Sequence, residues 1–341
     1  MTINIALATS DALVFGCDSI ASTASYMVDP FSLEFQKDAS GDTQKDKDGN
    51  PLVALEMSKV EQVVTNAWGG VQKMFCLHQG KTPVVAVTSG LARFKDGRTI
   101  KSMAEEFAEK QKERAKPFVN VETVANEFLR FVRRAYNNHY RGSTIPEKFK
   151  DELNFLVGGY GRDDAFPSIY RLKVKENTIK VERSKGITGL SWEGQSDSVE
   201  RLIRGYSWNL RNKIESYARD RFAAHHKEMT DAVTRIVNDV LSKLGVTMPT
   251  GIDTSLPDSA QLTPPWDGAK LDMTYSSLPT QDAVRFVSFL VNLQSGASKF
   301  AYGVATVGGR THIGVVTKAG GFVMLDEPVL KHTDKGFGDD L

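Results

Sequence analysis

The stretch Met1-Thr2-Ile3-Asn4-Ile5-Ala6-Leu7-Ala8-Thr9-Ser10-Asp11-Ala12-Leu13-Val14-Phe15-Gly16-Cys17-Asp18-Ser19-Ile20-Ala21-Ser22 decides the reading of this chain. An apolar strand opens directly behind the initiator methionine, a turn at Ser10-Asp11 reverses it, and a second apolar strand ends on an acid, Asp18. With Met1 removed, Thr2 becomes the N-terminal residue and its hydroxyl lies beside a free α-amine. That amine has an ordinary pKa of about 8, so near neutrality it can take the proton of a hydroxyl nucleophile. From this segment alone the alternative, a plain N-terminal hairpin with an incidental threonine, stays open.

Further along, Val71-Gln72-Lys73-Met74-Phe75-Cys76-Leu77 alternates as a strand and Gln79-Gly80-Lys81-Thr82-Pro83 turns it. Val84-Val85-Ala86-Val87-Thr88-Ser89-Gly90-Leu91-Ala92 then returns as a buried strand into a helix. Four strands result, with Asp18 and Lys73 at strand positions and Gly90 at a strand-to-helix junction. On these residues the chain resembles the proteasome β-subunit family, which includes the HslV peptidases and the Anbu proteins. Two further segments are similar. Residues 154–160 with 167–172 resemble the family's central hairpin, and 311–317 with 320–323 its final one.

The resemblance implies an α+β fold, a four-layer αββα sandwich of two antiparallel sheets between helix layers, over a single domain spanning 1–341. It implies Thr2 as nucleophile, Asp18 and Lys73 as the charged pair beside it, and the Gly90 amide as oxyanion donor. Ser191, in Gly189-Leu190-Ser191, loosely matches a supporting serine. By the same resemblance Val71, Phe75, Thr88 and Ala92 line the pocket for a substrate side chain, while Ala21 and Ser22 lie on the strand that pairs with a peptide. Ordinary strand packing explains each of these six equally well. The physics agrees with the central assignments. An ammonium at Lys73 would lower the pKa of the amine and steady negative charge, Asp18 would hold that ammonium, and a glycine leaves an oxyanion donor unobstructed. The chain departs from the family pattern at Ile20, where a basic residue is usual. It also departs in residues 303–309, which hold Thr306 but no acid.

Composition narrows the function classes. With 341 residues, 40% hydrophobic and 25% charged, the chain can bury a substantial core. A net charge of +1 offers no concentrated positive field for nucleic acid. No membrane span is expected, since the longest apolar run, near 284–291, is broken by Arg285 and Ser288. A cytoplasmic location is expected, because no basic region with an apolar stretch behind it opens the chain. Cys17 and Cys76 lie on apolar strands and read as buried reduced thiols. No cofactor is implied, and His225-His226 lacks a third ligand at metal spacing.

Helical stripes run from Ile100 to Ala108 and from Val121 to Tyr136, divided by Pro117, and form a core-facing pair. A longer stripe over 198–244 reads as two helices or an extension. Thr280 is expected to cap a last helix that stops at Ser295-Gly296. Two stretches exceed the family pattern. The first, about 27–68, lies between Asp18 and Lys73 and must emerge near the site; its Asp46-Lys47-Asp48-Gly49-Asn50 reads as an Asp-Gly turn over a calcium loop. The second, about 245–279, reads as a surface excursion with Trp266 and Tyr275 as anchors.

These readings converge on a threonine-dependent peptidase or amidohydrolase, a hydrolase of the threonine protease type, acting on a peptide or protein as a homo-oligomer. Whether an ATPase partner exists is open in the sequence. The alternatives are a catalytically silent proteasome-like scaffold and a free-standing amidase for a small amide.

Overall fold

The computed structural model describes residues 2–29, 33–54, 60–112, 117–184, 186–245, 266–301 and 304–325. Met1, Gly303 and most of the 245–279 excursion lie outside the described residues. The described part is a mixed α/β protein built on antiparallel sheets. The first strands are β1 (Ile3–Ala8), β2 (Leu13–Cys17), β3 (Ala21–Val28), β4 (Glu34–Phe35), β5 (Val53–Ala54), β6 (Val60–Trp68), β7 (Met74–His78) and β8 (Val84–Gly90). Helices α1 (Ile100–Lys112) and α2 (Val121–His139) come next, then β9 (Leu153–Gly159), β10 (Ser168–Lys173), β11 (Thr178–Arg183) and β12 (Gly189–Gly194). The chain continues through α3 (Asp197–Arg204), α4 (Trp208–Lys243) and α5 (Thr280–Phe300) to β13 (His312–Thr317) and β14 (Gly321–Met324).

One five-stranded sheet has the order β12-β1-β2-β13-β14 and the other β11-β10-β9-β8-β7. All six residues of β1 and all five of β2 are buried, as expected of near-continuous apolar strands covered on both faces. Alternation assigns their partners. Ala6, Ala8, Leu13, Phe15 and Cys17 meet Met74, Val85, Val87, Leu156 and Ile169 of the other sheet in one buried cluster. The opposite face of that other sheet, with Phe75, Leu77, Val84, Ala86 and Phe155, packs on Met103 and Phe107 of α1 and on Val124, Phe128 and Val132 of α2. Each large side chain so buried contributes about 1.5–3 kcal/mol. Asn120 starts α2 by accepting the Thr123 N–H at 2.8 Å.

Helix α5 buries Ala283, Val287, Leu290, Val291 and Gln294 and packs on β1 and β2. A Cβ on Gly16 would lie 2.4 Å from Val287 Cγ1, so this close approach requires the glycine. The helix runs past Ser295-Gly296 to Phe300, and its cap position is Pro279 instead of Thr280. The buried face holds the helix together through Gly296, whose cost as an isolated helical glycine is only about 1 kcal/mol.

Beyond Asp18, β3 and β6 pair as a two-stranded ribbon, with Ala21 opposite Trp68. Within the ribbon's connection, Asp46 Oδ1 accepts the N–H groups of Asp48 and Asn50, each at 2.9 Å, which is an Asp turn. Eight residues earlier Asp38 makes the same turn with Ser40 and Asp42. The pair reflects an internal repeat, Gln36-Lys37-Asp38 and Gln44-Lys45-Asp46.

Residues 196–273 form a second compact unit. Gly205, at φ 80°, ends α3, and Ser207 starts α4 by accepting the Leu210 N–H, so the long stripe divides into two helices. None of the described residues of α4 is buried. Trp266 anchors to the same unit through Tyr206, ring centroids 4.8 Å apart, and donates to Glu215 at 2.9 Å.

Candidate active site

Thr2 sits one residue ahead of β1, Asp18 one residue past β2 and Lys73 one residue before β7, so the three lie at strand ends. The β1–β2 register, Asn4 opposite Cys17, sets Ile3 against Asp18. Both partners bond there: Asp18 N–H donates to Ile3 O at 3.4 Å, and Ile3 N–H donates to Asp18 Oδ1 at 3.1 Å. Lys73 is tied to the other sheet by the Thr88 N–H on its carbonyl at 3.0 Å.

All three side chains are buried and bonded together. Lys73 Nζ donates to Thr2 Oγ1 at 2.5 Å and to Asp18 Oδ1 at 2.8 Å, and the Thr2 hydroxyl donates to Asp18 Oδ1. Asp18 Oδ2 accepts the N–H of Ile20 at 3.2 Å and of Gly308 at 3.1 Å. Five donors therefore converge on one carboxylate, three of them backbone amides from separate segments. Burial pulls the Lys73 pKa below its ordinary value, while the attraction and hydrogen bond of Asp18 oppose that fall. Burial also pushes the neighbouring Cys17 thiol up to about 12, so it stays protonated. Chemically the arrangement polarises one hydroxyl between a cation and an anion.

The Thr2–Lys73 pair opens on a cleft of about 690 Å³. Ala21, Ser22, Val71, Thr88, Gly90 and Ala92 all line it, together with Ile20, Trp68, Ser89, Leu91, Arg93, Ile100 and Lys101. Gly90 ends β8 at φ 96°, and a Cβ there would meet Glu152 O at 2.0 Å, so backbone geometry alone demands glycine.

Phe75 and Ser191 are placed elsewhere. The alternation of β7 sends Phe75 into the cluster beneath α1 and α2. Ser191 pairs with Ala6, four residues along β1 from Thr2, a distance of about 14 Å at strand rise. Its buried hydroxyl has no partner among the described residues. The residue that does approach Thr2 from β12 is Gln195. Its N–H donates to Thr2 O at 2.6 Å, and its Oε1 accepts the Thr306 hydroxyl at 2.8 Å. Gly194 beside it, at φ 91°, would set a Cβ 2.1 Å from Thr2 O. Sequence reasoning missed this pair, although Gly194-Gln195-Ser196 at a strand end before a helix was the available signal. In the sequence Gly308-Gly309 reads as a hairpin turn in a segment lacking an acid; among the described residues α5 and not a strand precedes it, and the Gly308 amide anchors Asp18.

Among the described residues no group of three or more His, Cys, Asp or Glu is placed to hold a metal, and no helix is long and apolar enough to cross a membrane. Neither cysteine is in a disulfide.

No protein-family model and no curated protein matches the chain. Solved structures are similar to it, three Anbu structures among them. The Anbu complex of Pseudomonas aeruginosa, described as a helical assembly, shares 10% identity over 95% of this chain and 88% of that one, at a TM-score of 0.46. A Gly-1 mutant of Anbu from Hyphomicrobium sp. strain MC1 shares 9% over 96% and 86%, at 0.43. Anbu, an ancestral beta-subunit, from Yersinia bercovieri shares 10% over 95% and 87%, at 0.42. Likeness this remote carries no argument about activity.

Proposed function

We propose that the chain is a threonine-dependent peptidase or amidohydrolase of the proteasome-like N-terminal nucleophile type, with its sheets and helices arranged as a four-layer αββα sandwich. The observation that carries this is the buried Thr2 hydroxyl held by Lys73 and Asp18 at the wall of a cleft. Removal of Met1 frees the α-amine. Thr2 Oγ1 then attacks the carbonyl carbon of an amide while its proton passes to the amine. The oxyanion faces the Gly90 N–H, and the Lys73 ammonium offsets the negative charge on Oγ1 and beyond. Collapse breaks the carbon–nitrogen bond, the leaving amine takes the proton from the α-ammonium, and an ester on Thr2 remains. Water gives a proton to the same amine, cleaves the ester and restores Thr2.

Asp18 positions Lys73 and the first residues of β1. Gln195 holds the Thr2 carbonyl from the other side through its N–H, and the Thr306 hydroxyl holds the Gln195 side chain. Peptides or proteins are the substrates in this reading, in an assembly of identical subunits in the cytoplasm. Apolar side chains exposed along α4, among them Tyr217, Met229, Val233 and Ile236, favour self-association.

The test is turnover of fluorogenic peptides and small anilides by the wild type and Thr2→Ala, with thermal melting as the control for folding. Loss of turnover by at least about a thousandfold, or about 4 kcal/mol, in a folded Thr2→Ala chain is expected. Retained turnover places the nucleophile elsewhere. A folded, processed wild type that cleaves nothing is the silent scaffold, and one that cleaves only small anilides is the free-standing amidase.

A further inference from the structure

The charge on the cleft wall is one-sided. Of the described residues that line it, Lys73, Arg93 and Lys101 are cationic and none is acidic. The chain as a whole is balanced, with 43 basic and 42 acidic residues, so this bias is local. Lys73 is offset by Asp18 at 2.8 Å, which leaves Arg93 and Lys101 as the cations open to a ligand.

Arg93 lies three residues beyond Gly90, on the turn that leads to α1, and is exposed. Among the described residues no carboxylate is within ion-pair reach of it. The acids of that turn and of α1 are engaged elsewhere: Asp96 pairs with Arg98 at 2.8 Å, and Glu106 pairs with Arg98 at 3.2 Å and Lys110 at 2.6 Å. Lys101 opposes Glu105 at 3.6 Å, but both side chains are about half exposed or more, and such a surface pair is worth little and exchanges readily. No acid stands in the first turn of α1 to neutralise this end of the cleft. The remaining wall is mostly apolar, with Ile20, Trp68, Val71, Leu91 and Ile100 beside the uncharged polar Ser22, Thr23, Gln72, Thr88, Ser89 and Thr99.

We propose that this cleft selects acidic-apolar peptide segments, with Arg93 and Lys101 reading a carboxylate on the residue beside the cleaved amide and the apolar wall taking its neighbours. The proposal rests on the cleft being the substrate site of the hydrolase proposed above. An arginine fork matches a carboxylate with two parallel hydrogen bonds, which an amide side chain cannot equal and an ammonium opposes. Apolar wall and cationic rim together fit a side-chain pair such as leucine followed by glutamate.

Two measurements test it. In the first, acetylated peptides of the form Leu-X-aminocoumarin, with X glutamate, glutamine or lysine, are compared by kcat/KM. Glutamate is expected to exceed glutamine by roughly tenfold, about 1.4 kcal/mol, and lysine by more. In the Arg93→Gln, Lys101→Gln double variant the glutamate-to-glutamine ratio should fall to about one, with Arg93→Lys in between. Raising salt from 50 to 500 mM should shrink the wild-type ratio. In the second, dye-labelled peptides with the same three residues are bound to Thr2→Ala, which needs no turnover. Tighter binding of the glutamate peptide, lost in the triple variant that adds both glutamines, upholds the proposal even where the wild type hydrolyses nothing. Hydrolysis or binding indifferent to X overturns the proposal and leaves Thr2 chemistry standing.

Discussion

Asp18 and Lys73 form a buried ion pair, and the structure makes the two halves unequal. Replacing Asp18 by asparagine leaves one oxygen where five donors had two. If the amide nitrogen takes the Oδ2 place, it faces the N–H groups of Ile20 and Gly308; in the Oδ1 place it faces Ile3 N–H, the Lys73 ammonium and the Thr2 hydroxyl. Either way at least two donors lose their acceptor, at about 1–3 kcal/mol each, and Lys73 loses its counter-charge. The expected cost is about 3–6 kcal/mol, a large share of the ~5–15 kcal/mol that holds a domain folded. Lys73→Met is different. Asp18 keeps the Thr2 hydroxyl and three backbone amides, and the substitution removes an ammonium whose pKa burial has already lowered. Its expected cost is about 0–2 kcal/mol. Urea unfolding followed by far-UV circular dichroism at pH 7 measures both. Were the lysine, not the amides, the main support of the carboxylate, Lys73→Met would cost the ~3–5 kcal/mol typical of a broken buried pair. A Lys73→Met cost equal to or above that of Asp18→Asn would refute the reasoning.

Other outcomes follow from the same geometry. Because the folded Lys73 pKa lies below the ordinary 10.5, the unfolded chain binds more protons between the two values; wild-type stability should therefore rise with pH across that window relative to Lys73→Met, in unfolding titrations run at several alkaline pH values. Gly194→Ala, with its Cβ driven into the Thr2 carbonyl at positive φ, should lower stability by about 2–4 kcal/mol and reduce turnover more than a remote substitution of equal cost; melting and kinetics measured together check this. Ser191→Ala removes a buried hydroxyl with no described partner and should leave turnover unchanged, read by kcat/KM. Iodoacetamide at pH 8 should leave Cys17 unlabelled in the folded chain, since burial lifts its thiol to about 12, and label it once urea is added.

Much of the strand framework was legible because β1, β2 and β8 are apolar runs too short and too bounded by turns for helices. Strand ends carried the site equally well: Thr2, Asp18 and Lys73 each adjoin an apolar run that fixes where they fall. Beyond its place between a strand end and a helix, nothing in the sequence marked Gln195, because its main bond is made by a backbone amide that any residue but proline supplies. Its side chain acts only through Thr306, more than a hundred positions away. Ser191 rested only on a loose match of Gly189-Leu190-Ser191 to a supporting serine, and pairing with Ala6 places it well along the strand. Phe75 depended on strand phase, and the phase of β7 turns it to the helices. The end of α5 was missed because burial of its apolar face outweighs the local signal of Ser295-Gly296.

The central claim is that Thr2, freed of Met1, is the nucleophile. It is tested most directly by incubating the purified chain with a peptide epoxyketone, which needs both a hydroxyl and an adjacent amine to close its ring, and then mapping the N-terminal peptide by mass spectrometry. The account expects Met1 absent and one adduct on Thr2, with no adduct on a folded Thr2→Ala chain. Met1 retained on essentially all chains, or equal labelling of both proteins, would contradict it.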